Sequence, residues 1–327
     1  MSKAKKKFSA WNILWIIPLL LVLAAAVMMY VVPALEGVRD ARTVEGSVDW
    51  MKALPDDMPL SEVVLPGTHD SATEYVQLAY FSRCQAYSIR AQLDAGFRYL
   101  DIRLDDGEGL PLVHGFTHCT VSGWPWAKTL YLREVLNACC SFLQENPTET
   151  VVFCVKHEHG GASDADFAEA LGGFIAEKPE FWYEGSALPT VGEARGKLVL
   201  LKRFDDGGKL PGVAFNWTDQ PGYADPSLNT ETNENPACTL HVQDRYEYEA
   251  DEKWAAFLAG MAAAEVSPTD VSLNFLSTKG HAKYGHPYKY ASVLNEKPEG
   301  SALRGWIIVD FGTRKLAETI YSANFGQ

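Results

Sequence analysis

From about residue 60 to its end, the chain alternates short apolar, β-branched runs with stretches of helical spacing, and this alternation constrains its fold most. Runs at 62–66, 98–104, 110–114, 150–156, 197–202, 241–243, 271–275 and 304–311 predict strands. Segments 89–95, 129–144, 166–177, 249–264 and 314–323 predict helices. Gly96 closes the first of these helices, and Asn146-Pro147 stops the second. Strands joined by helical crossovers pair in parallel, because each crossover returns the chain to the same end of the sheet. A (β/α) barrel typically takes about 250 residues, which the chain supplies. A doubly wound sheet would show a glycine-rich phosphate loop after its first strand, and Leu65-Pro66-Gly67-Thr68-His69-Asp70 is not that loop. Residues 219–236, rich in Asn, Thr, Pro and Asp, are expected as a surface excursion within the domain.

Ahead of the barrel, Lys3, Lys5, Lys6 and Lys7 precede an uncharged stretch over 8–35. A spanning helix needs roughly 20 apolar residues, so the stretch is long enough to cross a bilayer, and Pro18 is tolerated there. The lysines keep the N-terminal end cytoplasmic by the positive-inside rule. A cleaved signal peptide, with Ala24-Ala25-Ala26 near a cut, is the alternative, but its apolar core is typically only about 7–15 residues. The expected organisation is a basic tip and transmembrane signal-anchor over 1–35, a linker over 36–59 and the barrel over 60–327. That places the chain in the cell membrane as a single-pass protein with the barrel outside, or secreted after signal cleavage.

With the four anchor lysines set aside, the 29 Lys and Arg and 42 Asp and Glu leave a net charge of −17. Nucleic acid is therefore not an expected partner, since phosphate-backbone affinity comes from clustered basic residues. No Cys-x-x-Cys pair suggests zinc. Cys84, Cys119, Cys139, Cys140 and Cys238 could pair in an oxidising exterior, whereas Cys154 alternates within a strand and reads as buried. A monomer is expected.

Against that acidic background, polar residues collect at seven expected strand ends. These are Thr68-His69-Asp70, Asp101-Ile102-Arg103, His114-Gly115, Lys156-His157-Glu158, Lys202-Arg203, Asp244-Arg245-Tyr246 and Asp310. Barrel chemistry sits at the C-terminal ends of the strands. Side chains two apart share a face, so Asp101 and Arg103 should both point to the barrel axis. Taken singly, each is as readily a structural residue or a solvated loop charge. Together they predict a site with two imidazoles for acid and base work and an Arg fork for phosphate oxygens. Few carboxylates are left free for a divalent cation, which points to metal-independent phosphoryl transfer.

Several segments resemble the X region of bacterial phosphatidylinositol-specific phospholipases C. They are Leu65-Pro66-Gly67-Thr68-His69-Asp70-Ser71, residues 92–103, His114-Gly115, Asn146-Pro147-Thr148-Glu149-Thr150, Leu200-Leu201-Lys202-Arg203, Val242-Gln243-Asp244-Arg245-Tyr246 and 305–310. The resemblance implies a distorted (β/α)8 TIM-type barrel and lyase-type cleavage of phosphatidylinositol to diacylglycerol and inositol 1,2-cyclic phosphate. It implies His69 as general base oriented by Asp310, and His114 as general acid linked to Asp70. Arg103 would bind the phosphate, with Asp101 in support. Lys156, Arg203 and Asp244 would meet inositol hydroxyls, and Tyr246 would stack on the ring. No calcium or other cofactor is expected. Trp124, Trp126, Trp217 and Tyr223 lie in expected loops and suit the headgroup level of a membrane, or else cap the barrel rim. The rival readings are a metal-dependent glycerophosphodiester or sphingomyelin-type phosphodiesterase on a similar barrel, and a non-catalytic module that binds an inositol lipid.

Overall fold

The computed structural model describes residues 10–37, 46–124, 126–222, 229–232, 238–263 and 265–326. Its strands are β1 (Leu65–Thr68), β2 (Tyr99–Asp105), β3 (Val113–His114), β4 (Thr117–His118), β5 (Val151–His159), β6 (Leu198–Arg203), β7 (Val213–Ala214), β8 (Asn229–Thr232), β9 (Thr239–Gln243), β10 (Asp270–Phe275) and β11 (Trp306–Val309). One sheet runs β7-β6-β5-β2-β1-β11-β10-β9-β8, and every pairing in it is parallel except that of the edge strand β8. Helices Ile89–Ala95, Leu132–Glu145, Asp164–Glu177, Ala250–Ala263 and Pro287–Leu294 lie between successive parallel strands, and Arg314–Tyr321 follows β11.

The two-residue period of the strands decides what lies inside and outside. Leu65, Tyr99, Val152, Val199, Val213, Leu240, Leu273 and Trp306 come one from each parallel strand, and all lie in a single buried cluster. A flat sheet could not bring its two edges to one cluster, so the sheet is curled into a barrel. It is an open barrel, because among the described residues β7 and β9 are not hydrogen-bonded to each other. The alternate residues Leu100, Ile102, Phe153, Val155 and Leu200 face outward, into a cluster with Val135, Phe142 and Phe167 of the covering helices. Full burial of one such side chain contributes about 1.5–3 kcal/mol, which is what holds the helices on.

The structure corrects some expectations. Trp50, Met51 and Leu54, inside the expected linker over 36–59, are buried in the barrel's interior cluster. The barrel therefore takes in part of that segment. The strand expected at 110–114 shrinks to β3, which pairs antiparallel with β4 in a hairpin outside the main sheet. Gly115, at φ 56°, supplies the left-handed turn that this hairpin needs. The excursion over 219–236 carries the edge strand β8, and most of the rest of it lies outside the described residues. The short helices Ala79–Ser82 and Pro287–Leu294 were not anticipated. All six cysteines are unpaired and buried, so none of the five listed for pairing is bridged.

At the N-terminus, helix Ala10–Ala26 passes through a π-helical turn, Val27–Val31, into Val32–Leu35. The part Leu14–Leu35 is long and apolar enough to cross a membrane, and its apolar window is not buried in the barrel. The basic tip lies outside the described residues.

One ion pair ties the base of the barrel together. Arg98, just before β2, donates from Nε and Nη2 to Glu149 Oε2 at 2.8 and 2.7 Å, and both side chains are 0% exposed. Burial lowers the Arg98 pKa, and Glu149 opposes that fall. Glu149→Ala should therefore destabilise the fold by about 3–5 kcal/mol, because it strands a buried charge. The midpoint of urea denaturation, followed by tryptophan fluorescence, measures this; an unchanged midpoint would contradict it.

Candidate active site

Six strands deliver polar groups to the C-terminal mouth by the same rule. Each contributes a residue to the interior cluster, and four positions later on the same inward row comes a polar side chain that lines the cavity. His69 follows Leu65, Arg103 follows Tyr99, Lys156 follows Val152, Arg203 follows Val199, Asp244 follows Leu240 and Asp310 follows Trp306. With His114, Glu158, Trp217 and Tyr246 they line one cavity of about 700 Å³. Asp101 lies beneath it, 1% exposed. Flanking residues turn away: His157 stacks on Phe167 at 4.4 Å, and Lys202 pairs with Asp206 at 2.8 Å.

Backbone geometry fixes the two residues at the centre. β1 and β11 are neighbours, so His69 and Asp310 leave adjacent strand ends. Gln85 Nε2 donates to the His69 carbonyl at 2.7 Å and to the Val309 carbonyl at 2.9 Å, clipping those ends together. Asp70 at φ 43° and Phe311 at φ 47° then turn both chains sharply in the left-handed region. Such conformations cost about 1–3 kcal/mol and cluster at functional sites.

Arg103 is the hub. Its Nε lies 3.2 Å from Asp70 Oδ1 and its Nη2 3.0 Å from Asp101 Oδ2, with Nη1 3.3 Å from Glu158 Oε1. Burial alone would lower the Arg103 pKa, but Asp101, Asp70 and Glu158 outweigh it and hold the guanidinium charged. Burial would raise the Asp101 pKa, yet Arg103, His69 and Arg203 keep it well below the usual carboxylate range. Glu158 is likewise pulled down to about 2, because Arg103 and Lys156 overcome its burial.

His69 Nδ1 is 2.8 Å from Asp310 Oδ1, and Nε2 is 3.3 Å from Asp70 Oδ2. Burial depresses its pKa, but Asp310 and Asp70 together outweigh burial and lift it to about 9. Arg103 Nη2, 2.9 Å from the same Nε2, opposes them, since that contact is a hydrogen bond only while Nε2 keeps its lone pair. The two carboxylates prevail over the one guanidinium. His114 stands opposite, the two ring centroids 6.4 Å apart. Its Nδ1 is 2.8 Å from the Ser82 carbonyl and 3.4 Å from Asp70 Oδ2. The implied link to Asp70 is thus the longer contact, and a backbone carbonyl holds the ring.

On the far side of the cavity, the Arg203 guanidinium carbon lies 3.5 Å from the Trp217 ring centroid. Trp217 Nε1 donates to Asp244 Oδ2 at 3.0 Å. Trp217, read above as either a headgroup-level aromatic or a cap on the barrel rim, faces inward to the pocket. Trp124 and Trp126 are exposed, and Tyr223 lies outside the described residues. Tyr246 lines the pocket with its hydroxyl 2.9 Å from Asp219 Oδ1. Sequence reasoning placed Glu158 among the strand-end polar residues without a role, although its position two after Lys156 on one strand puts it on the same face. Ser82 gave no signal, because it acts through its carbonyl.

His69, Asp70 and Cys84 bring possible ligand atoms within 4.8 Å of one another. The donor set fits a divalent cation poorly. Burial, with Asp310 and Asp70 adding to it, holds the Cys84 thiol far above its ordinary pKa, and Arg103 already supplies the cluster's positive charge.

Residues 57–204 match the family described as Phosphatidylinositol-specific phospholipase C, X domain. A Staphylococcus aureus protein named 1-phosphatidylinositol phosphodiesterase is 28% identical over 290 residues, covering 80% of this chain and 88% of its own. A Listeria monocytogenes protein of the same name is 28% identical over 309 residues, 84% of each chain. A solved structure of the Staphylococcus aureus phosphatidylinositol-specific phospholipase C, described under modulation of its membrane binding, superposes with a TM-score of 0.70 at 25% identity. That match covers 88% of this chain and 99% of the other.

The His69 environment carries a direct test. An NMR titration of the imidazole should show a midpoint near 9. Asp310→Asn removes the nearest group that favours the imidazolium, so the midpoint should fall toward the ordinary value. A midpoint that does not move would contradict the assignment.

Proposed function

We propose that this chain, which carries a phosphatidylinositol-specific phospholipase C X domain over residues 57–204, cleaves phosphatidylinositol to diacylglycerol and inositol 1,2-cyclic phosphate. The observation that carries the reading is that one cavity holds two imidazoles, their ring centroids 6.4 Å apart, and the Arg103 guanidinium beside the first of them.

In this reading the inositol 2-hydroxyl gives its proton to His69 Nε2 while its oxygen attacks the adjacent phosphorus. Asp310 holds Nδ1 and stabilises the imidazolium that forms. Arg103, whose Nη2 lies 2.9 Å from His69 Nε2, is assigned to the phosphate oxygens. The same fork meets the charge that grows on those oxygens in the transition state. The bond from phosphorus to the glycerol oxygen then breaks, and His114 returns a proton to that oxygen. With Nδ1 taken by the Ser82 carbonyl, Nε2 is the His114 atom left for this step.

Lys156, Arg203 and Asp244 are assigned to inositol hydroxyls, and Tyr246 to the ring face. Arg203 Nη1, ion-paired with Asp101 Oδ1 at 3.9 Å, is buried without a hydrogen-bond partner, which suits a site that a polyol completes. Asp70, Asp101 and Glu158 are assigned to positioning Arg103. The helix Leu14–Leu35 is read as the membrane anchor, with the barrel on the side away from the lysines. Exposed Trp124 and Trp126 are read as headgroup contacts.

Phosphatidylinositol vesicles incubated with the chain should yield a cyclic phosphodiester visible by phosphorus NMR. His69→Ala and His114→Ala should each slow its appearance by about 10²–10⁴-fold, the usual worth of a general acid or base. Binding of the lipid without turnover by the unaltered chain would reject the enzyme reading in favour of a binding module.

A further inference from the structure

We propose that Glu36, Arg83 and His286 form a clasp that fixes the apolar helix against the barrel beside the cavity mouth, so that the barrel acts on lipid of the bilayer holding its own helix. The inference rests on the preceding reading that the pocket takes an inositol lipid and that the helix is an anchor.

One short segment is both the wall of the pocket and the seat of the helix. Leu78, Phe81 and Ser82 line the catalytic cavity, and helix Ala79–Ser82 packs against Val27–Val31 and Val32–Leu35. On its other side, Tyr30 and Ala34 line a second cavity of about 330 Å³ with Tyr75 and Trp124.

The clasp itself is built from buried groups. Arg83, only 5% exposed, donates from Nη1 to the Pro33 carbonyl and, at 3.1 Å, to the Glu36 carbonyl. These are carbonyls at a helix C-terminus, where the helix dipole favours a cation, and the Pro33 carbonyl also accepts from the Glu36 N–H at 3.1 Å. Its Nε donates to the Glu74 carbonyl at 2.9 Å, which ties the guanidinium to the barrel. His286, stacked on Tyr80 at 4.1 Å, places Nε2 2.8 Å from Glu36 Oε1 and Nδ1 2.7 Å from the Tyr80 carbonyl. Gly37, at φ 68°, then lets the chain run so close that a Cβ there would meet the Ala86 Cβ at 2.8 Å.

The exposed side chains Leu78, Phe116 and Tyr284 rim the catalytic cavity, and exposed Trp124 lines the second cavity beside the helix. The occupant of this apolar rim is the bilayer, because a membrane-length helix ends against it. A flexible tether would keep the barrel near the lipid but leave its mouth free to face elsewhere. A clasped joint fixes the direction as well, and orientation is what turns local concentration into rate.

The test reconstitutes the full-length chain in phosphatidylcholine vesicles that contain phosphatidylinositol. Turnover of that host lipid is compared with turnover of dissolved short-chain phosphatidylinositol below its micellar concentration. Glu36→Ala and His286→Ala, singly and together, touch no residue of the pocket machinery. The pair should lower the host-bilayer rate on the order of tenfold, from lost orientation, and leave the dissolved-substrate rate unchanged. An unchanged host-bilayer rate, or an equal loss of both rates, overturns the clasp and leaves the enzyme reading standing. An unaltered chain that turns over neither substrate overturns the enzyme reading, and one recovered water-soluble without residues 1–35 overturns the anchor; either takes the clasp with it.

Discussion

The Arg103 guanidinium is the charge on which the rest of the site depends. Asp70, Asp101 and Glu158 converge on it, and the first two are almost wholly buried. Two like charges about 4 Å apart repel by about 4 kcal/mol at an effective dielectric of about 20, so the carboxylates cannot share that space unaided. The guanidinium answers them with three nitrogens in a fixed fork, which a lysine could not do. It also presents Nη2 to His69, so one side chain couples the carboxylate cluster to that imidazole. A chain of net charge −13 thereby keeps Arg103, with Lys156 and Arg203, as cations in the cavity.

The carboxylates in turn separate the two histidines. His69 lies between Asp310 and Asp70, and these raise its proton affinity despite burial. His114 rests on a backbone carbonyl with Asp70 farther off. Two imidazoles with different neighbours are what a base and an acid need. The positions follow from the fold: adjacent strands β1 and β11 deliver the first dyad, and a hairpin outside the barrel delivers the second ring.

How far the site can be read from sequence follows from the same geometry. A period of two along a strand predicts that Asp101 and Arg103 share a face, and the interior row running from Tyr99 to Arg103 bears this out. The rule fails where the backbone is irregular. His114 was expected at the end of a barrel strand, but the stretch before it is loop, and only the hairpin pairing of Val113 and His114 remains regular. Trp217 looked like a rim aromatic because a loop residue carries no periodicity; its cation–π contact with Arg203 turns it inward. Trp50 and Met51 looked like linker because two apolar residues in a short 3₁₀ turn make no pattern, yet they pack into the barrel's interior cluster.

The central claim is that a guanidinium, and no metal ion, meets the developing charge on phosphorus. The direct measurement is kcat/KM on phosphatidylinositol for the unaltered chain and for Arg103→Ala, each with EDTA and with added calcium. The account predicts that the unaltered chain is indifferent to EDTA, and that Arg103→Ala loses about 10²–10³-fold, the usual cost of removing one such donor, with no recovery in calcium. Activity of the unaltered chain that vanishes in EDTA, or a full rate in Arg103→Ala, would contradict it.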